Sequence, residues 1–277
     1  MDILKSIIYG IVEGITEWLP ISSTGHLIIF NNIIPMNVSE DFYALYEVFI
    51  QLGAICAVLL LFWPKVWPFG ETKQPLADLP VLRYCKKSIF IFWIKMAIAC
   101  IPAVVVGLLF DDWNTAHFYN PLCVALALII VGIAFIVVET LFKNKKPKIQ
   151  KVSEIDYKTA LYIGLFQVLA AIFPGTSRSG AVIIGSLIMG ISRSVASEFT
   201  FCLSIPCMIG ASFLKILQIG FAFSFYEYII LLVGCLTAFI VSIFVIRIFM
   251  NYIRKNNFII FGIYRIILGI IVLLFVR

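Results

Sequence analysis

The chain is short of charge. Only 13% of its 277 residues are Asp, Glu, Lys or Arg, while 62% are hydrophobic. A soluble domain is typically about a quarter charged and about half apolar, so this deficit excludes an ordinary soluble domain and marks a membrane protein. The seven cysteines include no C-x-x-C pair; scattered singly through apolar segments, they read as small buried hydrophobes. No small-residue cleavage site follows the N-terminal apolar run, which carries Asp2, Lys5, Glu13 and Glu17, so it does not read as a cleavable signal. Basic residues outnumber acidic ones, 21 to 15. In a membrane protein that excess reflects loop placement rather than nucleic-acid affinity, and no nucleic-acid partner is expected.

What is abundant is long apolar runs. Six are long enough, at roughly 17–25 residues, to cross a bilayer: 41–63, 88–110, 119–142, 194–217, 226–250 and 257–276. Two regions do not fit that pattern. Residues 3–19 end at Pro20, and the following piece, 23–34, is stopped by Pro35. Residues 157–173 end at Pro174, and 178–191 is again short. Each region reads as a re-entrant hairpin of two helices meeting at a non-helical tip, tolerated at membrane depth only inside protein or against a wet cavity.

Lysine and arginine set the orientation. Lys65, Lys73, Arg83, Lys86 and Lys87 fall in loop 64–87, and Lys143, Lys145, Lys146, Lys148, Lys151 and Lys158 in loop 143–158. Arg193, Arg254 and Lys255 lie on the same side, whereas "PMNVSED", "DDWNTAHFYN" and "QIGFAFSFY" hold no Lys or Arg. The basic side is expected to be cytoplasmic, with the first hairpin entering from the outer face and the second from the cytoplasm. Trp63, Trp67 and Trp113 sit near span ends, as interface anchors do.

The order of elements repeats. "YGIVEGITEWLPISSTG" aligns with "IGLFQVLAAIFPGTSRS", so that Gly10 meets Gly164, Glu13 meets Gln167, Pro20 meets Pro174, Ser22 meets Thr176 and Ser23 meets Ser177. Each half, 1–150 and 151–277, has one hairpin followed by three spans, within one integral membrane domain. Three is odd, so the second half enters upside down. The expected fold is an all-α polytopic membrane protein with an inverted-topology repeat. Such repeats characterise transporters with a midplane site, but a fold does not dictate function.

The tips carry the chemistry. Glu13 and Glu17 are four apart on one helical face, and paired carboxylates in a membrane segment mark a functional site by default. One of Ser22, Ser23 and Thr24 suffices as an N-cap; three in succession exceed that need. His26 shares the tip. In "PGTSRSG", Arg178 needs an anionic partner or water at this depth, and the carboxylates of Glu13 or Glu17 can supply one. Two facing helix N-termini make a positive field with free N–H groups. A guanidinium adds bidentate phosphate recognition, so a phosphate-like anion is expected between the tips. Ser23 is placed to act as a nucleophile and His26 to protonate a leaving oxygen. Glu13 and Glu17 can activate the nucleophile or hold a divalent cation, Mg2+ or Ca2+; the residues leave both roles open. Glu47, Gln51 and Glu198 are further intramembrane polar residues, balanced between lining the site and helix-to-helix packing.

At these residues the chain resembles a known family. "EGITEWLPISSTGH" and "PGTSRSG" resemble the two signature motifs of the bacitracin-resistance type undecaprenyl-diphosphate phosphatases, and "YEVFIQLGAICAV", "SRSVASEFTFCLSIP" and "FGIYRIILG" extend the likeness over essentially the whole chain. No motif residue departs from the pattern. The resemblance implies a multi-pass enzyme of the bacterial cytoplasmic membrane, its site opening outward. It would remove the terminal phosphate of undecaprenyl diphosphate, yielding the monophosphate carrier of peptidoglycan precursor synthesis and conferring bacitracin resistance. It places the glutamate pair on Glu13 and Glu17, the nucleophile on Ser23, the histidine on His26 and the phosphate-binding arginine on Arg178. Ser22, Thr24, Thr176, Ser177 and Ser179 fall at neighbouring phosphate-site positions. Divalent-cation dependence comes with the family, and a homodimer is compatible with it. The competing expectation, from the repeat, is a transporter or flippase of a polyprenyl phosphate lipid.

Overall fold

The computed structural model describes residues 1–72, 76 and 82–275. Among these, helices dominate and strands are absent; Phe69–Cys85 and Ile149–Ile191 pair only as isolated bridges. The helices are α1 (Asp2–Thr16), α2 (Ser23–Ile33), α3 (Glu40–Leu61), α4 (Trp63–Val66), α5 (Lys87–Phe118), α6 (Pro121–Phe142), α7 (Tyr157–Ile172), α8 (Arg178–Ile188), α9 (Arg193–Ile219), α10 (Phe225–Ile253) and α11 (Ile259–Phe275). Five of them, α3, α5, α6, α9 and α10, are long and apolar enough to cross a membrane, which makes this a multi-pass membrane protein. The sixth expected span, 257–276, forms the apolar helix α11, described over 17 residues. Residue 276 lies outside the described residues, as does Lys73 of the basic loop.

Both expected breaks form. Pro20 has no N–H for the Thr16 carbonyl, and its ring crowds that carbonyl; α1 therefore stops at Thr16, short of the expected 19. Before Pro174 the residue is driven towards extended backbone, and Phe173, with φ −109° and ψ 102°, ends α7. One boundary is corrected. The stretch from 111, read as a loop, is helical to Phe118, because α5 meets no breaker until Pro121. His117 Nδ1 donates to the Trp113 carbonyl at 2.8 Å, and Asn120 caps α6 by accepting from the Cys123 N–H at 2.9 Å.

Packing between the halves is reciprocal. The hairpin helix α1 packs on α10, and its counterpart α7 packs on α5. Helix α3 packs on α9 and α10, α9 on α3 and α5, and α6 on α11. In lipid such contacts depend on close backbone approach, which small residues allow. A Cβ at Gly10 would collide with the Gly234 carbonyl on α10, and one at Gly164 with the Ala99 carbonyl on α5. These two glycines, aligned in the sequence, perform the same task in the two halves. The result encloses both hairpin tips within the bundle, where Trp18 stacks edge-on against Phe201 with centroids 5.3 Å apart.

Candidate active site at the hairpin tips

The two tips are built alike. Ser22 and Ser177 are the non-glycine residues with positive φ among the described residues, at 74° and 68°. L-residues rarely adopt this region. Each hydroxyl caps the helix that follows: Ser22 Oγ accepts from the Gly25 N–H at 3.3 Å, and Ser177 Oγ accepts from the Gly180 N–H at 3.2 Å. The helices so started, α2 and α8, have eleven residues each. This corrects the register beyond the break. Ser177 corresponds to Ser22 rather than Ser23, so Ser23 and Arg178 are the equivalent first residues of the two short helices.

Side chains then join the tips. Ser23 Oγ donates to Glu17 Oε2 at 2.7 Å, and Arg178 Nη2 donates to Glu17 Oε1 at 2.9 Å. Ser179 Oγ reaches the Glu17 carbonyl at 3.4 Å and lies 3.0 Å from Ser177 Oγ. Glu17 therefore holds the hydroxyl of one tip and the guanidinium of the other. Glu13, one turn back, is fully buried, and neither carboxylate oxygen has a hydrogen-bond partner. Arg178 Nη1 is likewise unpartnered. A buried polar atom without a partner is costly, so these groups are set for a ligand that completes them. Thr176 is buried, its carbonyl accepting from Arg265 at 2.8 Å.

His26 is also buried, with both ring nitrogens engaged. Nδ1 lies 2.6 Å from the Ser22 carbonyl, an acceptor only, so Nδ1 carries the proton. Nε2 then accepts from the Tyr264 hydroxyl at 2.7 Å, and the two rings stack with centroids 5.7 Å apart.

A cavity of about 270 Å3 adjoins the tips, lined by Thr24, Leu27, Glu47, Gln51, Asn114, Tyr119 and Pro174 among others. Glu47 and Gln51 thus reach the site's surroundings. Glu198 does not: it pairs with Lys65 at 2.6 Å. A larger cavity of about 430 Å3 lies around Lys143, Arg193 and Arg254 and contains no tip residue. There Arg193 Nε donates to Glu139 Oε1 at 2.8 Å.

Three residues at the site escaped the sequence reading. Tyr264 and Arg265 stand in an apolar span, and Asn114 in a segment taken for a loop. Arg265 had a visible signal, because an arginine among apolar residues at membrane depth demands acceptors. Asn114 is buried with its Nδ2 unpartnered.

Residues 6–271 match the family described as bacitracin resistance protein BacA. The chain belongs to the BacA family. Its relatives agree over nearly their full length. An undecaprenyl-diphosphatase of Desulfitobacterium hafniense is 54% identical over 99% of this chain and 96% of its own. One of Lachnoclostridium phytofermentans is 52% identical over 98% and 96%, and one of Enterococcus faecalis is 50% identical over 99% and 97%. The matched residues, 6–271, take in both hairpin tips and all five spanning helices.

Proposed function

We infer that the chain is an undecaprenyl-diphosphatase, a membrane enzyme that hydrolyses undecaprenyl diphosphate to undecaprenyl phosphate and inorganic phosphate. The observation that carries the reading is Glu17, which binds a serine hydroxyl from one tip and an arginine from the other. In this reading Ser23 is the nucleophile, Glu17 its base and Arg178 the phosphate-binding cation, gathered around one point. The family membership and the relatives' shared name support the same reaction.

The reaction runs as follows. Arg178 and the N–H groups starting α2 and α8 hold the terminal phosphate and stabilise its charge in the transition state. Glu17 takes the Ser23 proton as Ser23 Oγ attacks the terminal phosphorus. The bond to the bridging oxygen breaks, and undecaprenyl phosphate leaves with the electron pair. In its doubly protonated form His26 would reach the leaving oxygen through Tyr264: Nε2–H passes its proton to the tyrosine oxygen as the tyrosine hydroxyl passes its own to the leaving oxygen, and His26 returns to the neutral form whose Nε2 accepts from Tyr264. Water then attacks the phosphoserine; its proton returns through Tyr264 to His26, the bond from phosphorus to Ser23 Oγ breaks, and Glu17 gives its proton back to Oγ as phosphate leaves.

Glu13 fits a divalent cation. Its carboxylate is buried and unpartnered, and among the described residues no three His, Cys, Asp or Glu side chains converge. A hard cation there would take one or two carboxylates and fill its shell from water and substrate phosphate, as Mg2+ does. It would offset negative charge on the transferring phosphoryl group.

The site opens outward in this reading. The adjoining cavity is lined by Glu47 near the start of α3 and by Asn114 and Tyr119 near the end of α5, beside the loops without Lys or Arg. With the lysine-rich end in the cytoplasm, the diphosphate enters from the outer face of the cytoplasmic membrane. Reciprocal packing of α1 on α10 and α7 on α5 supports an inverted relation of the halves.

The test is phosphate release from undecaprenyl or farnesyl diphosphate by purified protein. Wild type releases phosphate and Ser23→Ala does not. Release by Ser23→Ala at the wild-type rate would refute the serine's role.

A further inference from the structure

Arg265 is fully buried on α11, far in sequence from both signature motifs, and no acidic side chain is among its hydrogen-bond acceptors. Its guanidinium donates to backbone alone: Nη1 to the Pro20 carbonyl at 3.2 Å, and Nη2 to the Gly175 and Thr176 carbonyls at 2.9 and 2.8 Å. Pro20 belongs to the first break, and Gly175 and Thr176 to the second. One side chain thus satisfies carbonyls that both broken helices leave open at membrane depth, where water cannot. The neighbouring Tyr264 reaches His26, so α11 contacts both tips through adjacent residues.

The depth of the guanidinium is set by helix packing. Helices α6 and α11 cross at Gly132 and Gly262, where a Cβ on either would run into the other's carbonyl. A Cβ on Gly132 would also press on Arg265 Cβ, and one on Gly180 on Nη1. The arginine is held beneath the site by backbones in close contact.

We propose that Arg265 is the positioning residue that fixes the two tips relative to each other, setting the distance between Ser23 and Arg178. Its rigid fork bridges acceptors on separate segments; lysine is a point donor on a flexible stem and cannot span them in the same way. Small misplacements are expensive in catalysis: about 1 Å can cost on the order of 100-fold in rate. Phosphate capture relies chiefly on Arg178 and the α8 N-terminus, whereas attack requires the other tip. Loss of the tie therefore lowers kcat more than it raises KM. This rests on the phosphatase reading for its kinetic consequence, but not for the tie itself.

The experiment compares full-length wild type, Arg265→Lys and Arg265→Gln in lipid nanodiscs, using two readouts. In hydrogen exchange, amides of residues 21–26 and 175–181 accelerate together in both variants while those of α3 and α9 do not change. Acceleration at one tip only, at neither, or throughout the bundle would overturn the tie. In phosphate release from undecaprenyl diphosphate, scored per folded molecule, Arg265→Lys loses at least about 10-fold in kcat with KM within about threefold. An unchanged kcat per folded molecule, whatever the yield, would reduce Arg265 to a structural role. If Arg265→Gln does not fold, Arg265→Lys decides alone. If wild type releases no phosphate, the phosphatase reading fails, while the exchange data still judge the tie.

Discussion

Ser22 and Ser177 occupy the same place in their hairpins, with φ near 70° and a hydroxyl capping the glycine three residues on. One residue further the tips diverge. The first presents Ser23, with Glu17 behind it and His26 one turn on; the second presents Arg178. A shared backbone thus carries different side chains: in the proposed reaction one tip supplies nucleophile, base and imidazole, and the other the cation. The comparison teaches why neither motif suffices alone. Glu17 touches both, and Arg265 ties both beneath.

Breaking the first tip gives the largest expected effect. Ser23→Ala should lower phosphate release by roughly 1000-fold or more, since removing a nucleophile leaves only binding and charge stabilisation. Assays with the folded variant check this, and substantial residual turnover would move the nucleophile elsewhere. At the second tip, Arg178→Lys keeps the charge but loses the fork. A fall of about 100-fold in kcat is expected, comparable to removal of one charge-stabilising donor; an intact rate would mean that Arg178 serves only to neutralise Glu17.

Glu13 sharpens the contrast, because Gln167 stands at its place in the second hairpin. Glu13→Gln should shift the divalent-cation titration of activity to higher concentration, on the order of 10–100-fold or more, given that even indirect ligand support has that magnitude. Cation dependence identical to wild type would assign Glu13 another role. The smallest effect is expected at the shared caps. Glycine accepts positive φ without a Cβ penalty and costs only a few tenths of a kcal/mol as an N-cap. Ser177→Gly should therefore keep stability and turnover within about threefold. A larger loss of turnover with normal thermal unfolding would give its hydroxyl a direct contact with phosphate.

Much of this was legible in the residues. Pro20 and Pro174 announce the breaks, and the lengths around them exclude full spans. Glu13, Glu17, Ser23 and Arg178 declare themselves because each is costly at membrane depth without a function or a partner. Other features depend on tertiary contact. Residue identity does not disclose that Ser22 adopts positive φ, so the register of the repeat slips by one beyond the break. Glu198 resembles Glu47 in its apolar surroundings, yet Lys65 of α4 claims it. The segment after Phe110 carries polar residues and reads as a loop, but nothing in it stops a helix. Arg265 was hidden by the strong hydropathy of its span, although a lone arginine there already asked for acceptors.

The central claim is that Glu17 and Arg178 act as one unit across the two tips. A double-mutant cycle of Glu17→Asp and Arg178→Lys, read as kcat for undecaprenyl diphosphate, tests it most directly. Contacting residues that share a network are strongly coupled, so the double variant is predicted to lose at least about tenfold less than the product of the two single losses. Losses that simply multiply would mean that the two tips work independently, and would contradict the account.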